Sequence, residues 1–279
     1  MPQNTTQNQH FVSQSEQRLN AVNPNAQKEN QKIYVFTIAD RNNLTLRRPD
    51  KPKKIENNLS WQDLFSYHIP TRGSARENLE DLFHAYEGHI WTSTHNLLEK
   101  LATNNFSVRS ELITLFCAKY LNILRNPNNL EQISGMLNII DGFRFVEPEL
   151  AREYECVRDG NKPQKDAVCA RFGLTEEGYD TWLRALFFVL RPFEDGSRVL
   201  DHLMHRFFSN SVSKVQICRY DRQHCLLSDR GHNLINCEHV FREMFESGTM
   251  EKGHNFGAEF NLSKNAFISY MFLFGEGFP

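Results

Sequence analysis

The chain has no stretch approaching the roughly 18 apolar residues that a bilayer span needs, so no membrane-spanning helix is expected. Its opening, MPQNTTQNQHF, carries neither a basic start nor an apolar run, and no secretory signal is predicted. Charge of one sign is also missing. The formal net charge is −2, which excludes a uniformly basic nucleic-acid coat and still allows a local basic groove. The six cysteines, Cys117, Cys156, Cys169, Cys218, Cys225 and Cys237, are scattered with no Cys-x-x-Cys pair. Such dispersion in a long chain without a leader points to reduced thiols in the cytoplasm. Several signatures are absent: the G-x-x-x-x-G-K-S/T phosphate loop, G-x-G-x-x-G opening a helix, G-x-S-x-G and H-E-x-x-H. P-loop hydrolysis, dinucleotide redox chemistry, α/β-hydrolase chemistry and zincin proteolysis all lose support.

What is present is a foldable, aromatic-rich chain of 279 residues. Hydrophobic residues make up 40 % and 22 residues are Phe, enough apolar surface for a core and too much for wholesale disorder. One domain is expected over 1–279, with a polar Asn/Gln-rich opening (1–31), a helical part (74–192) and a C-terminal sheet (210–275). KIYVFTI at 32–38 is β-branched and aromatic, which predicts a strand. A helical period runs from about Ser74 to Leu101, and a second helix from Ser107 to the Arg125-Asn126-Pro127 stop. Further helices fit 129–140, 147–158, 163–172 and 175–190, with an amphipathic stretch at 197–208. The period then changes to two: VSKVQICRY, HCLLSD, FGAEFNLS and NAFISYMFLF read as strands. The expected class is α+β, with a helical middle and the N-terminal strand joining a C-terminal, mostly antiparallel sheet. The aromatics Phe267, Tyr270, Phe272 and Phe274 of the final strand suit a core face or a contact with a protein partner or second copy equally.

Four places could carry chemistry. His10 and Gln14 lie four apart, which sets an imidazole and an amide on one face of a helical turn. Glu80, His84 and Glu87 fall within roughly 60° on a helical wheel of about 100° per residue, beside the apolar face. Boundary carboxylates of that kind can ligate a divalent cation or act as a general base, and can equally pair with lysine or arginine. Ser228-Asp229 precedes Gly231 behind HCLL, where a carboxylate is displayed at a strand end or closes a turn on its own backbone. The segment 41–54 carries Arg47, Arg48 and Lys51 among its basic residues, with Pro49 and Pro52 barring a helix. A basic loop or hairpin there is a candidate nucleic-acid contact or simply a solvated face. Cys218, His224, Cys225, His232, Cys237 and His239 are dense in zinc-type ligands, yet their spacing does not form the two close pairs of a structural zinc site.

In order along the chain, His10-Phe11-Val12-Ser13-Gln14, Ile33-Tyr34-Val35-Phe36, Glu80 with Glu87, Leu227-Ser228-Asp229 and Phe260-Asn261-Leu262-Ser263 resemble the motifs of the bacterial family catalogued as domain of unknown function 4238. Ser13 stands where that pattern has proline, and Arg230-Gly231 where it has Asn-Pro. The resemblance implies an accessory bacterial protein, of phage-defence type, in which His10, Glu80, Glu87 and Asp229 converge on one cleft. Two uses of such a cleft follow. One is binding of nucleic acid or a nucleotide-like ligand. The other is a metal-dependent nuclease, with Glu80, Glu87 and Asp229 holding Mg or Mn and His10 as base or phosphate contact.

Overall fold

The computed structural model describes residues 6–40, 42–43, 45–69, 75–137, 140, 144–209, 211–222, 224–235 and 255–273. The protein is α+β. The opening third is built from short antiparallel pairs. β1 (Asn8–His10) pairs with β6 (Ser60–Gln62), β2 (Lys32–Ile33) with β5 (Lys53–Lys54), β3 (Thr37–Asp40) with β4 (Thr45–Arg47), and β7 (Ser66–Ile69) with β8 (Ala75–Asn78). One short helix, α1 (Gln14–Arg18), follows β1 and is started by Ser13, whose hydroxyl accepts from Glu16 N at 3.0 Å.

The helical middle contains α2 (Glu80–Glu87), α3 (Ile90–Ala102), α4 (Arg109–Leu124), α5 (Leu130–Leu137), α6 (Pro148–Asp159), α7 (Lys165–Phe172), α8 (Glu176–Leu190) and α9 (Val199–Ser209). The helix expected over 74–101 is thus two helices preceded by a strand. Asn78 Oδ1 takes the Glu80 amide at 3.0 Å, which starts α2 late, and Gly88 ends it. Thr175 begins α8 as the sequence predicts, its hydroxyl accepting from Gly178 N at 3.0 Å.

The C-terminal sheet has the order β10 (Asn233–Ile235), β11 (Asn255–Ser263), β12 (Ala266–Leu273), β9 (Val212–Arg219), all antiparallel. Phe256, Ala258, Phe260 and Leu262 of β11 and Ile268, Tyr270 and Phe272 of β12 fill one face, as strand alternation requires. That face meets α4 and α9 through Phe116, whose ring lies 4.9 Å from Tyr270, 5.1 Å from Phe272 and 5.5 Å from Phe208. Tyr270 and Phe272 are therefore core residues, while Phe274 lies outside the described residues. The main core runs from Phe11 to Phe272 and includes the buried Trp182, whose indole N–H donates to Leu124 O at 2.6 Å, and Ala21, Ile33 and Ile55 form a second, small cluster.

Two expectations about strands need correction. The N-terminal strand does not join the C-terminal sheet: β2 is only two residues long and pairs with β5, and the chain leaves after Ile33 to form the β3–β4 hairpin. The opening segment reaches the sheet through α1 instead, with Lys264 N donating to Leu19 O at 3.3 Å and Asn20 Nδ2 to Asn261 Oδ1 at 2.8 Å. HCLLSD forms no strand either. Its backbone is held by the β11–β12 end, with Cys225 N donating to Lys264 O at 2.8 Å and Asn261 Nδ2 to Cys225 O at 3.2 Å. These contacts take the place of a ladder.

Candidate functional site around Arg125

Residues far apart in sequence meet at the C-terminal end of α4. Arg125 is 1 % exposed, held by side chains of α2 and α4. Its guanidinium pairs with the Glu87 carboxylate from α2, donates twice to Asn122 Oδ1 (3.1 and 2.8 Å), and lies 5.1 Å from the centre of the Phe83 ring. Asn122 passes the network on by donating to Glu16 of α1. Glu16 in turn pairs with Lys119, whose ammonium also donates to Asn261 O of β11 at 2.5 Å. Lys119, Asn122 and Arg125 recur every third residue of α4, so they form one polar seam through an otherwise apolar helix. Sequence reading passed over this seam. Its signal was a polar residue on each side of Tyr120-Leu121, Lys119 and Asn122, in a helix with apolar residues all round.

His10 sits at the edge of this network, 6 % exposed. The amide oxygen of Gln14 accepts from Arg18, so the Gln14 amide nitrogen faces His10 Nδ1 at 3.3 Å as donor. His10 Nε2 then donates to Ile55 O at 3.3 Å. Both ring nitrogens are engaged, and the imidazole has no lone pair left for abstracting a proton. Burial, together with the nearby Arg125 charge, lowers its pKa to about 4, against opposing pulls from the Ile55 carbonyl and Glu87. His10 is a neutral joint at pH 7.

Glu80 points into the same region. It is 9 % exposed, and its Oε1 is buried without a hydrogen-bond partner. Burial raises its pKa to about 8, Arg125 opposing and Glu87 and Asp81 reinforcing the shift. Glu80 thus carries its proton at neutral pH. Glu80 and Glu87 share the boundary face expected of them, while His84, on the same side of α2, is exposed.

Asp229 arrives by its backbone only. Ser228 to Gly231 is a turn, with Gly231 N donating to Ser228 O at 3.0 Å, the Ser228 hydroxyl accepting from Arg230 N at 3.1 Å and Gly231 at φ 81°. Asn126 Nδ2 donates to Asp229 O at 2.7 Å, and Asn129 Nδ2 to Arg230 O at 3.3 Å, which seats the turn beside Arg125. The Asp229 side chain is exposed and its carboxylate accepts from Ser228 at 3.3 Å. No hydrogen bond or ion pair joins it to Glu80, Glu87 or His10 among the described residues.

This donor set is a poor fit for a divalent cation as it stands. Among the described residues no group of three or more His, Cys, Asp and Glu side chains converges on a point. A metal at Glu80 and Glu87 would have to displace a guanidinium already paired with Glu87. Of the zinc-type residues, Cys218 and Cys225 are free thiols, and Cys237 and His239 lie outside the described residues.

The basic segment is linked to the network. The Ile55 carbonyl that His10 binds follows directly on β5, and Ile55 N donates to Gln31 O at 3.0 Å, so the base of the segment is pinned. Above it β3 and β4 form an exposed two-stranded ribbon. Arg47, Arg48, Lys51, Lys53 and Lys54 are all exposed, as are Phe36, Ile38 and Leu46. Arg48 lies 4.8 Å from the centre of the Tyr34 ring. No family model, curated protein or solved structure matches the chain. The family resemblance therefore rests on the motifs themselves.

The two shifted groups set opposite pH responses. Glu80, raised from 4.5 to about 8, favours the folded state below pH 4.5 and loses that contribution as pH rises through 8. His10, lowered from 6.5 to about 4, contributes stability above pH 6.5 that is lost as pH falls through 4. The opposing slopes largely cancel between pH 4.5 and 6.5, and the Glu80 loss stands alone between 6.5 and 8. Glu80→Gln, which removes that ionisation, is expected to raise stability at pH 8 by on the order of 4 kcal/mol and at pH 5 by less than about 1 kcal/mol. Urea denaturation at the two pH values checks this. An equal change at both would show that Glu80 is not held protonated.

Proposed function

We propose that the chain is a non-catalytic nucleic-acid-binding protein, a cytoplasmic accessory protein of bacterial defence type, in which the β3–β4 ribbon and β5 contact phosphates. The observation carrying this reading is an accessible surplus of positive charge. Five exposed basic side chains, Arg47, Arg48, Lys51, Lys53 and Lys54, stand against Asp50, and none has an ion-pair partner among the described residues. Asp40, at the ribbon tip, is already occupied by the amides of Asn42 and Asn43 at 2.8 and 3.3 Å. A two-stranded ribbon is also a shape that the major groove of B-DNA accepts. On this reading the His10–Glu80–Glu87–Arg125 cluster is a polar joint, nearly neutral in sum, that fixes the ribbon's base to the helices. No described helix is long and apolar enough to cross a membrane.

Counterion release supplies the magnitude for a test. Neutralising five phosphates of duplex DNA gives a log–log salt slope of roughly −4.5, hence about a 500-fold affinity loss between 50 and 200 mM salt. Removing three charges in Arg47→Ala/Arg48→Ala/Lys51→Ala brings the slope to roughly −1.8 and that loss to about 12-fold. Fluorescence anisotropy with labelled duplex DNA, single-stranded DNA and RNA reads both quantities. Absence of binding to all three at 50 mM salt, or an unchanged slope in the triple variant, would remove the proposal.

One observation favours a second reading, the metal-dependent nuclease: the partnerless buried oxygen of Glu80, beside Glu87. Its test is degradation of DNA or RNA with Mg or Mn by wild type and by Glu87→Gln. Cleavage that disappears in the variant would favour it over the binding reading.

A further inference from the structure

A second site lies on the far side of Arg18. The end of α1 and the following residues (Arg18, Leu19, Ala21, Pro24), one face of α3 (Trp91, Thr94, His95, Leu98) and the β11–β12 turn (Ser263, Lys264, Asn265) enclose a cavity of about 220 Å³. We infer that this cavity binds a small organic anion bearing a planar ring, of the mononucleotide class. The inference is independent of the ribbon.

Charge is the first argument. No Asp or Glu lines the cavity, while Arg18 and Lys264 both do. Arg18 is half-buried, among the described residues its guanidinium donates to the neutral Gln14 amide, and its Nε is buried with no partner. Neither it nor Lys264 forms an ion pair among the described residues. The Glu87 carboxylate that attracts Arg18 is already paired with Arg125, so a bound anion would give the half-buried guanidinium a counter-charge of its own.

The second argument is an orphaned hydroxyl. Thr94 is fully buried, and its Oγ1 has no hydrogen-bond partner. In a helix a threonine hydroxyl ordinarily turns back to a carbonyl of the preceding turn. Thr94 is instead one of the residues around the cavity, between Trp91 and Leu98 on the same face of α3. Two unsatisfied polar atoms, on two walls of one cavity, mark a place where a ligand's own donors and acceptors would be matched.

The ring follows from Trp91. Its indole is 42 % exposed at the cavity although it stands on a helix packed into the core. His95 Nδ1 lies 2.8 Å from Trp91 O, and the imidazole lies 4.2 Å from the indole centre, tilted by 34°, so the aromatic pair is held in place. Pro24 and Leu98 supply apolar walls, and a base or similar ring would stack there as on other exposed aromatics. The volume limits the ligand's size. Drug-sized pockets run to roughly 300–1,000 Å³, so this cavity takes no more than a single mononucleotide, with the base at Trp91 and the phosphate at the Arg18–Lys264 side.

The test is calorimetric and fluorometric titration of the full chain with AMP, GMP, CMP and UMP, with adenosine and inorganic phosphate as half-ligands. At least one mononucleotide is expected to bind and quench tryptophan fluorescence, at least tenfold more tightly than either half-ligand. Lys264→Ala should weaken it about fivefold, and Trp91→Leu at least tenfold with loss of the quenching. Both positions are at the surface, and circular dichroism confirms that the variants fold. Absence of binding at 1 mM, inorganic phosphate binding as tightly as the mononucleotide, or full affinity in both variants would each overturn the inference. Nucleic-acid binding by the ribbon variants reads separately from all of these outcomes.

Discussion

Glu16→Ala is expected to destabilise the protein by about 3–5 kcal/mol, among the largest single losses available in this chain. Glu16 and Lys119 are 0 % and 1 % exposed, and each holds more than its partner. One Glu16 oxygen takes Lys119, the other takes Asn122, and Lys119 also reaches Asn261 O. Removing the carboxylate strands an ammonium between α4 and β11 with a single carbonyl, and it leaves the Asn122 amide without an acceptor. A buried charge deprived of its partner is far more costly than the intact pair is helpful. For a chain of this size the loss corresponds to a fall of roughly 6–15 °C in Tm. The paired substitution Glu16→Gln/Lys119→Met removes both charges and should recover most of it. Thermal and urea denaturation of the two variants decide the matter: a loss under about 1 kcal/mol in Glu16→Ala would mean that water reaches the pair.

This seam also shows where sequence reading ends. The helices were legible because each carries its own local instructions: the Thr175 cap, the Pro127 stop after Arg125, the apolar periods of α4 and α8. The β11–β12 face was legible from its alternation. What failed were decisions taken between segments. KIYVFTI has a strand's composition, yet only its ends pair, because Lys53–Lys54 offers a two-residue partner and the ribbon takes the rest. HCLLSD alternates like a strand, but Asn261 and Lys264 satisfy its backbone first. At the site, spacing correctly set Glu80 and Glu87 on one face of α2. It could not show that Arg125, 38 positions after Glu87, would pair with Glu87, because an ion pair across two helices leaves no periodic trace. The same limit hid the cavity beside Trp91, whose three walls come from three distant parts of the chain.

Arg125→Met is the substitution that bears most directly on what the cluster does. The guanidinium is 1 % exposed, so its loss takes a partner from Glu87 and two donors from Asn122 Oδ1, with an expected cost of about 3–5 kcal/mol. Methionine keeps much of the packing against Phe83, so the change is chiefly electrostatic. The titrations then move in predictable directions. Arg125 depresses both groups, so without it the His10 pKa rises from about 4, and the Glu80 pKa rises further above about 8. His10 ring-proton shifts followed by NMR between pH 3 and 8 read the first of these. An unmoved His10 would mean that burial alone sets its charge. The variant also separates the two functional readings, because it removes the cation that competes with a metal for Glu87. If the cluster is a structural joint, 1 mM Mn raises the Tm of Arg125→Met no more than that of wild type. A gain of several degrees confined to the variant would show that Glu80 and Glu87 form a cation site which Arg125 occupies in place of the metal.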